Sequence, residues 1–304
     1  MQRIAVTGAT GFIGTRLLPQ LVQADYDVRA LTRRTQQAVD GIAWVKGALA
    51  DQTSLNELVK GVDAVIHIAG SVRGRSQAEF LETNLYGLER LVRAIANAGT
   101  PIRLLSFSSI TAAAPELSHY AFSKAQAEAL LARQENLDWT IFRPTAVYGP
   151  GDTELLPLFQ TMRRGLALVP AHEGLLSFVH VDDVVSATLS WLEQADLRGE
   201  TFEIHDGHLE GYDWQQILST MQPFAQRRIR RLNLPRGLLA IVAGLNLGWS
   251  RISGQAPMLT PAKLNELFHR DWRCRDTRFS QLSGWTPRYD LSQGLAATFE
   301  ELDR

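Results

Sequence analysis

The order of apolar segments along these 304 residues predicts an α/β chain wound around a doubly wound parallel sheet, with a smaller lobe from its C-terminal part. Three observations carry that expectation. Short apolar runs of strand length alternate with longer segments of helical period. A glycine-rich turn joins the first run to the first helix. Regularity then breaks near residue 150. Alternation of this kind marks strand–helix–strand units, whose crossovers cover both faces of a parallel sheet.

Taken in order, Arg3–Thr7 reads as a strand, Phe12–Ala24 as a helix, Asp27–Thr32 as a strand, Ser54–Lys60 as a helix and Ala64–Ile68 as a strand. Phe80–Ala98 and Tyr120–Gln134 follow as helices, with strands at Ile102–Ser106 and Trp139–Phe142. Beyond Arg143, the residues Pro144, Gly149, Pro150, Gly151 and Pro157 interrupt the pattern. The expected division is 1–150 for the sheet domain and 151–177 plus 205–304 for the lobe. Residues 178–204 are expected to return to the sheet through strands at Ser177–Val181 and Thr201–Ile204.

Lys and Arg number 31 against 32 Asp and Glu, so no bulk field draws the chain onto nucleic acid. The single cysteine, Cys274, leaves no intramolecular disulfide and suits a reducing compartment. Met1–Val6 runs straight into the glycine turn without the pattern of a signal peptide, so a cytoplasmic location is expected. The longest apolar stretch, Gly237–Trp249, falls short of the roughly 20 residues that span a bilayer. The seven histidines show no paired metal-ligand spacing, and no metal is expected.

Thr7-Gly8-Ala9-Thr10-Gly11-Phe12-Ile13-Gly14 lies between the first strand and the first helix. There, glycines let the backbone approach a pyrophosphate, which meets the helix N-terminus. Gly8, Thr10, Gly11, Phe12, Ile13 and Gly14 are therefore candidate cofactor residues of a Rossmann-type dinucleotide site. At the end of the second strand stands Leu31-Thr32-Arg33-Arg34, with no acid to accept a ribose 2′-hydroxyl. Arg33 and Arg34 could clamp a 2′-phosphate, which favours NADP over NAD; the alternative is two solvated loop charges.

Tyr120 and Lys124 are four apart in a helical segment and share one face. A neighbouring ammonium lowers the cost of a phenolate, so the pair suits proton transfer to or from a carbonyl oxygen. The shared face lets both meet one substrate and one cofactor. Ser109 follows a buried strand at the edge where such sheets bind ligands, with Ser108 its competitor by one position.

Together these residues resemble the extended short-chain dehydrogenase/reductase family, also described as NAD-dependent epimerases and dehydratases. The resemblance extends to His67-Ile68-Ala69-Gly70, Asn84, Arg143-Pro144-Thr145-Ala146-Val147-Tyr148-Gly149-Pro150-Gly151, Phe178-Val179-His180-Val181-Asp182-Asp183 and Gly284-Trp285-Thr286-Pro287. It implies that Asn84 joins Ser109, Tyr120 and Lys124 in the catalytic set, through an active-site water or the helix geometry. It also implies that Ala69, Pro144, Ala146 and Val147 lie along the cofactor, and that two copies pair through the helices at Phe80–Ala98 and Tyr120–Gln134. The Asp182–Asp183 pair is read as structural, capping a helix from Val184.

Epimerases, dehydratases and ketone reductases share this set, so departures from the pattern carry the distinction. Leu176 stands where many nucleotide-sugar members carry an arginine, and Ala112-Ala113-Ala114-Pro115 replaces a more polar loop after the serine. With the NADP-like arginine, these losses make the chain look more similar to the dihydroflavonol reductase and 3β-hydroxysteroid dehydrogenase branches, which act on lipophilic carbonyls or alcohols. Reduction of a lipophilic substrate, with an anionic group where one is present, is the first expectation. A nucleotide-sugar epimerase or dehydratase and a non-catalytic NADP-binding sensor or assembly subunit are the alternatives.

From Met221 to Ser280 eleven Lys or Arg face three Asp or Glu. Arg227, Arg228, Arg230 and Arg231 precede the apolar Gly237–Trp249 stretch, a pairing that suits an amphipathic anionic substrate or peripheral contact with a membrane. In an epimerase these arginines would grip the diphosphate. A solvated face beside a core helix is the plainer reading of the same residues.

Overall fold

A computed structural model describes residues 2–253 and 259–304, and of residues 249–253 the backbone alone. Met1, the side chain of Trp249, and residues 254–258 of the basic stretch lie outside that description. The strands are β1 (Arg3–Thr7), β2 (Asp27–Thr32), β3 (Ile42–Lys46), β4 (Ala64–His67), β5 (Arg103–Phe107), β6 (Asp138–Pro144), β7 (Ala146–Tyr148), β8 (Leu166–Pro170), β9 (Leu175–Leu176), β10 (Phe178–His180), β11 (Glu200–Ile204), β12 (Arg230–Leu234) and β13 (Asp271–Trp272). The helices are α1 (Phe12–Gln23), α2 (Gln52–Leu58), α3 (Gln77–Leu81), α4 (Gly87–Asn97), α5 (His119–Leu131), α6 (Leu156–Arg163), α7 (Val181–Glu193), α8 (Trp214–Met221), α9 (Arg236–Ser253), α10 (Pro261–Leu267), α11 (Arg278–Ser283) and α12 (Leu291–Asp303).

Seven parallel strands form the main sheet in the order β11-β6-β5-β4-β1-β2-β3. Ile4, Ala5 and Val6 at its centre are fully buried, because a parallel sheet clothed on both faces has no wet side. Leu17 and Leu21 of α1 pack with Val184 and Trp191 of α7 on one face. Leu55 of α2, Leu91 of α4 and Leu131 of α5 cover the other. The chain winds outward from β1 towards β3 and then from β4 towards β6, so a crevice opens where the carboxyl ends of β1 and β4 diverge.

Several elements differ from the sequence expectation. Of the two segments expected in the main sheet between 178 and 204, β11 pairs with β6 at its edge, whereas β10 pairs with β7 in a separate two-stranded ladder. Of the apolar run at 178–180, Phe178 is buried in a separate cluster against Phe159 and Tyr148, whereas Val179 packs into the core beneath the main sheet. β3 was not anticipated, since only Val45 of its five residues is buried and an edge strand leaves little periodic trace. The helix expected over 80–98 is broken by a π-helical turn at Glu82–Tyr86. α7 begins at Val181, three residues before the expected start, so neither aspartate is its cap. Asp183 instead accepts the backbone N–H groups of Arg288 and Tyr289 at 2.8 and 3.0 Å, and Asp182 pairs with Arg16 at 2.9 Å. No helix among the described residues is long and apolar enough to cross a membrane.

Candidate active site

A cleft of about 660 Å³ opens at the carboxyl ends of the central strands. Its floor is the turn after β1. Gly8 has φ +74°, and a Cβ there would stand 2.6 Å from the backbone nitrogen of Ala69; at Gly14 a Cβ would fall 2.2 Å from the carbonyl oxygen of Gly8. Only glycine permits a turn this close to β4 and to itself. The N-cap of α1, Gly11, makes no side-chain cap, which leaves the first-turn N–H groups open to an anion. A backbone cradle with a helix dipole behind it fits the pyrophosphate of a dinucleotide.

Gly8, Gly11, Phe12, Ile13, Ala69, Lys124, Pro144, Ala146 and Val147 all border the cleft, as do Ser109 and Tyr120. Other candidate cofactor residues stand elsewhere. Thr10 is exposed at the tip of the turn, Gly14 is buried beneath it, and Arg33 and Arg34 are exposed past the end of β2, outside the cleft walls. The Thr32 hydroxyl shapes that arginine loop, accepting from the Arg34 N–H at 3.2 Å and donating to the Arg34 carbonyl at 2.8 Å.

Tyr120 sits in the first turn of α5 with Lys124 one turn on. Its ring leans on Phe80, centroids 6.1 Å apart. Burial raises the phenol's pKa, a hydrogen bond with Ser109 opposes the rise, and the carboxyl groups of Glu266 and Glu154 add to it. The phenol is thereby held protonated. The Lys124 ammonium is buried and donates to the Phe107 carbonyl at 2.7 Å; burial pulls its pKa down to about 8 against an opposing pull from Glu128. His67, behind it, is pushed down to about 3 by burial and by the Lys124 charge, so it adds no second cation.

The choice between the adjacent serines is structural. Ser108 hydrogen-bonds Glu128, which also grips Arg143 at 2.5 Å. The Ser109 hydroxyl oxygen accepts from the Thr111 N–H and hydroxyl at 3.2 and 3.0 Å, within reach of the Tyr120 phenol. Asn84 sits in the π turn and makes three hydrogen bonds within the protein. Its amide donates to the Ser71 carbonyl at 3.1 Å and to the Ser123 hydroxyl at 2.8 Å, and its oxygen accepts from the Ser71 N–H at 2.7 Å. Both amide N–H groups are thus engaged within the protein, one of them by the residue before Lys124.

The roof was missed by the sequence reading. Arg73 binds Glu154 at 2.6 Å, and Lys263 of α10 reaches the same carboxylate at 3.3 Å. Asp152 fixes Glu154 in place by accepting three backbone N–H groups, from Glu154, Leu155 and Leu156, at 2.7–2.9 Å. Glu266, hydrogen-bonded to Ser118, closes the side nearest Tyr120, and burial raises its pKa. The glycine-flanked Arg73 and Arg75 just after β4 were a usable signal, since ligands gather beyond strand ends; Lys263 and Glu266 left none. The Ala112–Pro115 stretch that replaces a more polar loop does not border the cleft, and neither do Arg227–Arg231. Among the described residues no cluster of His, Cys, Asp and Glu is arranged to hold a metal.

A nucleotide-binding parallel sheet with this cleft defines an enzyme class, and comparison with known proteins places the chain in it. The profile of the NAD dependent epimerase/dehydratase family matches residues 4–204, and the chain belongs to that family, whose members are nicotinamide-dinucleotide enzymes. It is similar to a ceramide reductase of Caulobacter vibrioides, 31% identical over 303 residues that cover 98% of this chain and 93% of that one. It is also similar to a 4-hydroxy-2-methyl-3-oxo-4-farnesyl-3,4-dihydroquinoline-1-oxide ketoreductase of Stigmatella aurantiaca, at 29% identity over 97% and 95% of the two chains. Among solved structures, UDP-glucose 4-epimerase of Thermotoga maritima superimposes with a TM-score of 0.76 over 99% of both chains, at 21% identity, which shows the shared fold.

Proposed function

We propose that this chain is an NADPH-dependent reductase of a ketone on a lipophilic substrate, with Ser109, Tyr120 and Lys124 as its catalytic residues. The convergence of these three groups on one cleft, beside the apolar side chains of Ile68, Phe80, Phe107 and Leu155, carries the reading. The glycine turn would hold the pyrophosphate of the reduced dinucleotide, and Pro144, Ala146 and Val147 would line its nicotinamide, which would supply the hydride for a carbonyl carbon. The Tyr120 hydroxyl donates its proton to the carbonyl oxygen, a task suited to a phenol that burial and two nearby carboxyl groups keep protonated. The Lys124 ammonium, anchored on the Phe107 carbonyl, stabilises the phenolate left behind. Ser109 directs its O–H at the same carbonyl oxygen, and Asn84 holds α5 in register through Ser123.

Arg33 and Arg34, exposed beyond β2 with no acid beside them in sequence, are assigned to the 2′-phosphate of NADP. Relatives named for ceramide and for a farnesyl-bearing compound agree with a lipophilic substrate. A nucleotide-sugar epimerase would need a cationic grip on a diphosphate. Arg227–Arg231 stand outside the cleft, and apart from Lys124 the Arg and Lys side chains that border it are engaged by carboxylates, Arg73 and Lys263 with Glu154 and Arg75 with Glu79. Pairing of two copies through α4 and α5 and a cytoplasmic location complete the reading.

The test is cofactor oxidation with a long-chain 3-oxo amide, using NADPH and NADH, beside UDP-glucose as the competing substrate. Expected is NADPH-driven ketone reduction that Tyr120→Phe lowers by about 10²–10⁴-fold, while Arg33→Ala raises the KM for NADPH by about tenfold and leaves that for NADH unchanged. Interconversion of UDP-glucose without net cofactor oxidation would overturn the proposal.

A further inference from the structure

We infer that α9 lays its outer face on the surface of an anionic lipid bilayer, with the arginines around β12 as its electrostatic anchor. From Gly237 to Gly248 this helix carries no charged residue, and Asn246 is its only polar side chain. Leu239, Ala243 and Leu247, spaced four apart, turn towards the protein; Ala243 is fully buried and Leu247 borders the cleft. Leu238, Ile241, Val242 and Leu245 follow the other helical spacing, i, i+3, i+4 and i+7, and stand in the open, with Ile241 64% and Leu245 70% exposed. By contrast α4, which also packs one apolar face inward, turns Arg93 and Asn97 to solvent. A contiguous aliphatic face on a helix is a contact surface awaiting an occupant.

The charges around it identify that occupant. Arg227, Arg228, Arg230, Arg231 and Arg236 immediately precede the apolar face in the chain. Among the described residues only Arg231 meets a carboxylate, that of Glu173 at 3.0 Å. Arg227 donates to the Arg164 carbonyl at 2.8 Å and Arg236 to the Asn265 side-chain oxygen at 2.6 Å, contacts that neutralise no charge. None of the five borders the cleft, so their charge is not spent on a substrate there. Between the arginines, Leu232 and its register partner Leu168 add a second exposed apolar pair. An apolar helix face flanked by guanidiniums fits the boundary between acyl chains and anionic headgroups. A second copy of this chain fits less well, because pairing two such faces crowds both arginine sets into one interface. At 18 residues, about 27 Å, α9 lies along the interface rather than across it. The helix that meets lipid on one side therefore roofs the cleft on the other, through Leu247.

The inference stands on exposure and charge and does not depend on the reductase reading. The full chain is floated with phosphatidylcholine vesicles made with and without phosphatidylglycerol, at low and high salt. Expected is binding to the phosphatidylglycerol vesicles that weakens with salt. Replacing Ile241 and Leu245 together by Asp is expected to lower the partition coefficient by about tenfold or more, and Arg228→Glu with Arg230→Glu by about tenfold, with dinucleotide binding intact in both double variants. Wild-type protein left unbound at low salt overturns the inference, as does binding that neither double variant changes. An α9 variant that turns a wild-type oligomer into monomers in light scattering, without vesicle binding by the wild type, assigns the face to a second copy instead. Turnover of a water-soluble ketone is read in parallel and separates failure of the docking surface from failure of the chemistry.

Discussion

The floor and the roof of the cleft are built on opposite principles. The floor is backbone: Gly8 in a left-handed conformation against the Ala69 nitrogen, with the open N-terminus of α1 behind it, on the most buried strands of the sheet. The roof is side chains from distant segments, Arg73 after β4, Glu154 before α6 and Lys263 on α10, held by ion pairs whose partners are about a third exposed. A site that must recognise the same cofactor in every turnover gains from geometry that no rotamer can alter. A surface that admits a bulky substrate gains from contacts that part at little cost.

Three measurements would break or sharpen the contrast. The largest effect is expected at Gly8. Placing Ala there forces a side chain into φ +74° and against the Ala69 backbone, and the φ alone costs about 1–3 kcal/mol. Where that strain falls on binding, dinucleotide affinity drops by roughly ten- to a hundredfold, measured by nicotinamide fluorescence titration beside a denaturant melt. Unchanged affinity would mean the floor is as pliable as the roof.

An intermediate effect is expected from pH. In the proposed reaction Lys124 would support the phenolate only as an ammonium, and burial lowers its pKa to about 8. The rate of reduction is expected to be flat below that value and to fall as pH climbs through it, by about tenfold per unit. Tyr120, raised by burial and by Glu266 and Glu154, stays protonated across this range and adds no break of its own. Because the Glu128 charge pushes the lysine pKa upward, Glu128→Gln should move the break to lower pH. A break that stays put would show that the lysine is not the group titrating.

The smallest effect belongs to the roof. Glu154→Gln weakens two partly exposed ion pairs, each contributing about 0–1 kcal/mol. KM for a bulky substrate should change by no more than about fivefold, with dinucleotide affinity untouched and kcat nearly so, because burial and Glu266 still hold Tyr120 protonated. A collapse in kcat would place Glu154 in the chemistry.

Some of these elements are plain in the sequence because each is a local demand. A turn that requires positive φ shows itself as Gly8, and two side chains on one helical face appear as Tyr120 and Lys124, four apart. Strands buried on both sides show as unbroken apolar runs such as Ile4–Val6. What escaped notice is non-local. β3 buries only Val45 fully, while Ile42 and Trp44 pack partly exposed against the other face of the sheet, so its five residues carry no clear alternation of apolar and polar. The π turn that aims Asn84 at Ser71 and Ser123 is a register shift within one helix and leaves no residue signature.

The sequence by itself therefore determined the parallel sheet, the dinucleotide turn and the spacing of the tyrosine and lysine, because these depend on backbone conformation and helical period over a few residues. Only the tertiary structure decided which of Ser108 and Ser109 faces Tyr120, that β10 joins β7 rather than the main sheet, that Arg227–Arg231 stand outside the cleft, and that Arg73, Glu154 and Lys263 meet above it. Those outcomes rest on contacts between residues far apart in the chain, where one carboxylate such as Glu128 or Glu154 selects its partners by position in space rather than by order in the sequence.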